Sequence, residues 1–308
     1  MSKQRTSFGA RFAGGLLRLQ GHLPLAFHRW WGRRIAWLLR DVLHYRREVV
    51  MTNLSRSFPQ KSYEELQAIS KRFYLHLATV FTEMIWFGAC RGPKGRARLH
   101  NSHMVEITNP EEFNRLYAGA RQIMILQAHT GNWELTGGYL EYCYNTPVDI
   151  DPTAIAVTYR SISNKTWDAV MAQNRPAPVL DMGFDGYVET NDVLRFILER
   201  KDQKFAYTFI TDQYPYNLLG SEITFMHQST KTLVAAAKMA VKLDMALVYQ
   251  RFECREEGGY RMTFVPIAEH AGGQDPLALM QQYYKLLEED LEKQPWNYLW
   301  THKRWKKK

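Results

Sequence analysis

Cysteine is scarce in this chain. Cys90, Cys143 and Cys254 are the only three in 308 residues, far apart and without a Cys-x-x-Cys pair. That spacing argues against a disulfide framework and against a zinc site, and it fits a reducing compartment. Long apolar runs are missing too. No stretch reaches the roughly 18 uncharged residues that a spanning helix needs, because Arg29, Arg33 and Arg34 interrupt the most apolar segment. The N-terminus has no unbroken apolar h-region followed by a small-residue cleavage site, so no signal peptide is expected. Gly-x-Ser-x-Gly does not occur, which leaves no serine nucleophile of the strand-to-helix elbow type. His227 has no neighbours at ligand spacing and reads as structural. No repeat or low-complexity linker divides the sequence.

With 45% hydrophobic and 23% charged residues, the chain has an ordinary globular composition, so disorder is not the default. Its length allows a sizeable core. The formal charge of +9 points to anionic partners: nucleic acid, acidic lipid, phosphorylated substrate or acidic protein. The charge sits at the ends. Through residue 50 there are ten Lys or Arg (Lys3, Arg5, Arg11, Arg18, Arg29, Arg33, Arg34, Arg40, Arg46 and Arg47) against Asp41 and Glu48, and residues 303–308 add five more around Trp305.

Residues 8–45 mix arginine with Leu16, Leu17, Leu19, Leu23, Phe27, Trp30, Trp31, Trp37 and Leu38. Such a segment suits an amphipathic helix lying in a membrane interface, where Trp and Arg are at home; the other reading is a helix docked on the core with Arg on its wet face. Ser62-x-x-Glu65 is a capping box opening a long helix to residue 87. Residues 92–95 read as a basic loop. Strand and helix signals then alternate: strands at 123–126, 155–159, 178–180, 205–211, 245–251 and 260–265, helices at 111–118, 164–173, 190–200, 230–243 and 277–292. This predicts an α/β fold, a mostly parallel central sheet flanked by helices. The expected division is a membrane-associating segment at 1–45 and an α/β domain at 46–308.

Sites in such folds gather beyond the carboxyl ends of strands, and both His129 and Asp212 follow predicted strands. His129 opens the stretch His129-Thr130-Gly131-Asn132-Trp133-Glu134. Five residues on one regular helix would set His129 and Glu134 about 140° apart, so they meet only if Thr130-Gly131-Asn132 turns the chain. A carboxylate against one imidazole nitrogen fixes the tautomer and makes the other more basic. His129 is therefore a candidate general base with Glu134 as its orienting partner.

His-Thr-Gly-Asn-Trp-Glu resembles the signature of the lysophospholipid acyltransferase superfamily, in its bacterial lipid A lauroyl/myristoyl acyltransferase branch. Further blocks resemble that branch in the same order. Asn53-Leu54 with Phe58-Pro59 matches its N-terminal region. Tyr159-Arg160, then Asn164, Asp168 and Arg175, is similar to a Tyr-Arg-Pro-x-x-Asn stretch with a downstream arginine, Ser161 replacing the proline. Thr211-Asp212-Gln213 stands where the family has a functional aspartate, and residues 295–306 are close to its terminal Tyr-Leu-Trp-x-His-x-Arg-x-Lys pattern. The Pro-Glu-Gly-Thr type of phosphate loop is absent and Asp212-Gln213-Tyr214-Pro215 stands there, which favours the lipid A branch.

The resemblance implies a lysophospholipid acyltransferase-like fold and transfer of a fatty acyl chain from acyl carrier protein or coenzyme A to a hydroxyl of a lipid A precursor. His129 would take the hydroxyl proton and Glu134 would orient it. Arg175 would bind an acceptor phosphate or hold the shape of the site. Asp212 would support it, with a pairing to Arg175 as one possibility and a purely structural salt bridge as the other. Asn132 and Arg160 would be supporting or substrate-binding residues, and Lys231 a weaker anion contact. No metal and no cofactor beyond the acyl thioester co-substrate is implied. Partners would be the acyl donor, anionic membrane lipid and the phosphorylated glycolipid, not nucleic acid, at the cytoplasmic face of a bacterial inner membrane. Another glycolipid, aminolipid or lysophospholipid acceptor is the near alternative. A non-catalytic basic membrane- or nucleic-acid-binding protein is the distant one.

Overall fold

The computed structural model describes residues 8–213 and 221–305; Lys3, Arg5, Tyr214, Pro215 and the lysines at 306–308 lie outside them. The chain begins with α1 (Phe8–Gly21) and α2 (Leu25–Trp37), then a π turn over Leu38–Val42, α3 (Arg47–Ser57), α4 (Tyr63–Phe87) and α5 (Gly92–Asn101). Next come β1 (Val105–Ile107), α6 (Pro110–Gly119), β2 (Gln122–Gln127), a 3-10 helix at Trp133–Glu141, β3 (Ile155–Tyr159), α7 (Lys165–Asn174) and β4 (Tyr187–Glu189). α8 (Val193–Glu199), β5 (Phe205–Ile210), the hairpin of β6 (Ser221–Phe225) and β7 (Gln228–Thr232), α9 (Ala235–Lys242), β8 (Ala246–Cys254), β9 (Tyr260–Ala268) and α10 (Pro276–Lys293) complete it.

The strands form a seven-stranded sheet in the order β1-β9-β8-β2-β5-β3-β4. From β8 to β4 every neighbouring pair is parallel; β9 runs antiparallel to β8, and β1 parallel to β9, so these two strands oppose the other five. β2 is buried over all six residues, as expected of a strand covered on both faces. Its side chains alternate. Met124 and Leu126 join a core with Leu77 and Val80 of α4 and Tyr283 of α10. Ile123 and Ile125 face a second core with Phe113 and Leu116 of α6. Each fully buried aliphatic side chain contributes about 1.5–3 kcal/mol, so this strand is a rigid mount for whatever follows it.

α4 begins where its sequence says it should. Ser62 Oγ accepts from the Glu65 amide and Glu65 Oε2 accepts from the Ser62 amide at 2.7 Å, satisfying two amides that the first turn leaves unpaired.

Several elements depart from expectation. Residues 92–95 form the first turn of α5, where Pro93 loses nothing because that turn has no partner for its missing N–H. Residues 178–180 are not a strand: Ala177–Val179 is a 3-10 turn, and β4 makes the sheet edge instead. A three-residue apolar run carries no period, so turn and strand look alike. The helix expected over 230–243 starts only at Ala235, since Thr230 and Thr232 are taken up in β7, where β-branched side chains fit.

The N-terminal segment is two helices rather than one, parted at Pro24. His28, Gly32 and Ala36 of α2 are buried, and a Cβ on Gly32 would lie 3.0 Å from Thr82 Oγ1 of α4. The other side carries exposed Phe27, Trp30, Trp31 and Trp37, continuing from Phe12, Leu16 and Leu19 of α1. No described helix is long and apolar enough to cross a membrane.

Candidate active site

β2 and β5 are adjacent and in register, Gln127 opposite Ile210, and the Thr211 amide donates to the Gln127 carbonyl at 3.1 Å. Two residues beyond each strand stand His129 and Asp212. His129 Nδ1 lies 2.8 Å from Asp212 Oδ1. Asp212 is buried, which would raise its pKa, but the charge of His129 and the hydrogen bonds from it outweigh burial and hold the carboxyl below its ordinary value. The carboxylate therefore stays ionised at neutral pH and favours a proton on Nδ1. That leaves Nε2 of the neutral ring with its lone pair, 3.1 Å from the Gln213 side-chain nitrogen. The Trp133 ring meets the imidazole edge to face at 5.2 Å.

The expected partner of His129 was Glu134, and no hydrogen bond joins them. Glu134 heads the 3-10 helix after the Gly131 turn, and its carboxylate is held by Arg175 at the end of α7. Arg175 Nε reaches Oε2 at 2.6 Å and Nη2 reaches Oε1 at 2.8 Å, a two-pronged pair. Trp133 Nε1 donates to Oε1 at 3.2 Å and Tyr187 OH accepts from Arg175 Nη1 at 2.9 Å. Burial works against the Arg175 charge, yet Glu134 more than offsets it and the guanidinium is held above its ordinary value. The pairing of Asp212 with Arg175 is likewise replaced. The two acids have exchanged bases: register brings Asp212 to His129, and the 3-10 turn carries Glu134 away.

His129, Glu134, Arg175, Arg160 and Gln213 line one cavity of about 290 Å³ with Trp133, Leu140, Ile150, Val179 and Phe184, so a polar end meets an apolar wall. Tyr187 also lines it, its ring stacked on Tyr159 at 3.8 Å, and burial pushes its hydroxyl up to about 12. Asn132 does not line it. It is wholly buried and donates to Glu83 Oε2 at 3.1 Å, tying the motif to α4. Lys231 sits on β7 opposite Glu222, outside the cavity lining.

Of the residues that fix the site, Glu83 was not singled out in the sequence, and Asn53 and Asn297 appeared there only as members of motif blocks without an assigned role. Glu83 is buried and accepts from Arg29 of α2 at 3.0 Å and from Tyr260 at 2.7 Å as well as from Asn132. Asn297 Oδ1 accepts from the Gly131 amide at 2.6 Å, while its Nδ2 donates to the Phe252 carbonyl. Asn53 Nδ2 donates to the Trp300 and His302 carbonyls. The blocks at 53–59 and 295–306 were visible in the sequence, but only packing shows that Asn53 holds the C-terminal segment and that Asn297 of that segment holds the Gly131 turn after His129.

Gly131 has φ +55, and a Cβ there would lie 2.4 Å from the Phe252 ring. Gly131→Ala is expected to lose about 1–3 kcal/mol from backbone strain, more if the ring cannot shift, and to displace His129. Thermal unfolding and turnover should fall together; an alanine variant with wild-type values for both would show that the turn relaxes freely.

An imidazole paired with a buried carboxylate, an anchored guanidinium and a cavity with many apolar lining residues stand together at the carboxyl end of a parallel sheet, the place where α/β folds carry their sites. Residues 5–307 match the family model for bacterial lipid A biosynthesis acyltransferases, and the chain belongs to that family. It is 25% identical to the lipid A biosynthesis palmitoleoyltransferase of Escherichia coli (strain K12) and to the lipid A biosynthesis acyltransferase of Shigella flexneri, covering in each case 96% of this chain and 90% of the relative.

Proposed function

We propose that this enzyme moves a fatty acyl chain from an acyl carrier protein or coenzyme A thioester to a hydroxyl of an acylated, phosphorylated glucosamine lipid, with His129 as general base. The observation that carries this is the His129–Asp212 pair opening on the cavity. The acceptor hydroxyl, whose pKa is far above 7, gives its proton to Nε2 as its oxygen attacks the thioester carbonyl. The C–S bond then breaks, and the imidazolium returns the proton to the departing thiolate. Asp212 stabilises the imidazolium between these steps. Gln213 sits at the nitrogen the hydroxyl must reach, so its amide turns aside or bonds the hydroxyl. Of the five N–H groups of a guanidinium, Glu134 and Tyr187 occupy three on Arg175. The other two serve a substrate oxygen. Arg160, exposed at the cavity, is a second contact for anionic substrate. No cofactor beyond the thioester is needed.

The exposed Phe, Leu and Trp side chains of α1 and α2, beside Arg33 and Arg34, support a peripheral or monotopic seat for residues 1–45 on the cytoplasmic face of the inner membrane, with residues 46–308 as the acyltransferase domain. Basic surface suits both anionic lipid and an acidic carrier protein. Mass spectrometry of membrane lipids from bacteria with and without this protein tests the reaction. One added acyl mass on a phosphorylated glucosamine lipid is the expected result and gives the chain length. The same added mass on a different lipid class would move the acceptor assignment.

A further inference from the structure

A second cavity, of about 280 Å³, lies between α1 and α7, lined by Arg11, Arg18, Arg91, Gly14, Leu17 and Asn174 among others. Three guanidiniums converge there, and no carboxylate is among the lining residues. Arg11 and Arg18 are seven apart, two turns of one helix, so they share a face. Among the described residues neither makes an ion pair with an acid, whereas the nearby Arg96 is matched to Asp181 at 2.5 Å. Arg91 is fixed in place: its Nε donates to the Gly88 carbonyl and its Nη2 to the Gln173 carbonyl, both at 2.9 Å. Burial, followed by the like charge of Arg18, lowers the Arg91 pKa.

Like charges gathered in a concavity without counter-charge cost free energy unless something anionic enters. The surroundings say what kind of anion. Phe12, Leu16 and Leu19 form the next stripe of α1, and all three are exposed, at 60%, 53% and 72%. A ligand with its charge among the guanidiniums would therefore have apolar surface alongside for hydrocarbon. Arginine forks match phosphate oxygens better than they match a single carboxylate charge.

We propose that the pocket formed by Arg11, Arg18 and Arg91 between α1 and α7 binds the phosphate of a membrane lipid headgroup. It would fix the height and rotation of α1 on the bilayer. α7 carries the consequence to the active site, because Gln173 and Asn174 line this pocket and the following Arg175 and Pro176 line the catalytic cavity. The proposal rests on the membrane-facing reading of α1 and not on acyl transfer.

The full chain is mixed with vesicles of neutral phosphatidylcholine doped either with phosphatidic acid or, at matched surface potential, with a lipid whose charge is a carboxylate. The wild type should float at least about tenfold more strongly with the phosphate lipid. Arg11→Gln/Arg18→Gln, which removes two exposed guanidiniums with no side-chain hydrogen bond or ion pair among the described residues, should erase that preference. Arg33→Gln/Arg34→Gln removes the same charge elsewhere on the surface and should weaken both bindings while keeping the preference. A wild type indifferent to the two anions, or a pocket variant that still discriminates, would overturn the proposal. So would inorganic pyrophosphate raising the unfolding temperature without any vesicle preference, which would make the occupant free phosphate. Failure to float with any vesicle would remove the membrane reading itself and this proposal with it.

Discussion

His129→Ala is expected to lower acyl-transfer turnover by about 10²–10⁴-fold while leaving the fold and vesicle binding intact, because general-base catalysis is worth that much. The His129 side chain is only 15% exposed, but it lines the cavity and belongs to neither hydrophobic core, so its removal is not expected to collapse the packing. The sharper test compares the two acids. Asp212→Asn keeps the shape but presents an amide that cannot balance an imidazolium and that no longer selects the Nδ1–H tautomer; its loss should approach that of His129→Ala. Glu134→Gln leaves the His129–Asp212 contact untouched and acts through its own partners, Arg175 and the Trp133 indole. Turnover should rank wild type, then Glu134→Gln, then Asp212→Asn. The reverse order, with Glu134→Gln the more damaged and the fold of both variants unchanged, would return the orienting role to Glu134.

The reason that role could not be read from the sequence is physical. His129 and Glu134 share a motif, so a local turn was the economical way to join them. The structure instead uses the sheet: β2 pairs with β5, and the register that sets Gln127 opposite Ile210 delivers Asp212 from 83 residues away. Local pattern does carry the elements themselves. The capping box at Ser62, the apolar run of β2 and the antiparallel β8 and β9 around Gly258-Gly259 all have signals within a few residues. What local pattern lacks is strand neighbourhood, because β2, β3 and β5 read alike while only their order decides which loop ends meet. The same limit hid the clamp by Asn297, whose partner Gly131 is 166 residues distant; the local hairpin of β6 and β7 went unread because its two-residue turn, Met226-His227, adopts positive φ without the Asn or Gly that usually marks it. Gln213 was in plain view within Thr211-Asp212-Gln213, yet its place beside Nε2 depends on that same pairing.

The Glu134–Arg175 pair should give the largest stability effect. Glu134 is 6% exposed and Arg175 29%, so Glu134→Ala strands a guanidinium in a site only partly open to water. Removing one partner of a fully buried pair costs about 3–5 kcal/mol; the residual exposure of Arg175 brings the expected loss to about 2–4 kcal/mol, an unfolding temperature lower by roughly 3–6 °C for a chain of this length. Glu134→Ala/Arg175→Met removes both charges and fills part of the space, so stability should return to within about 1 kcal/mol of the wild type. Activity then separates the two roles open to Arg175. If its remaining N–H groups hold substrate, the stable double variant stays at least about tenfold slower, with the deficit greatest for a phosphorylated acceptor. If the pair only braces the cavity, turnover returns along with the unfolding temperature, and the contact with substrate oxygen passes to Arg160.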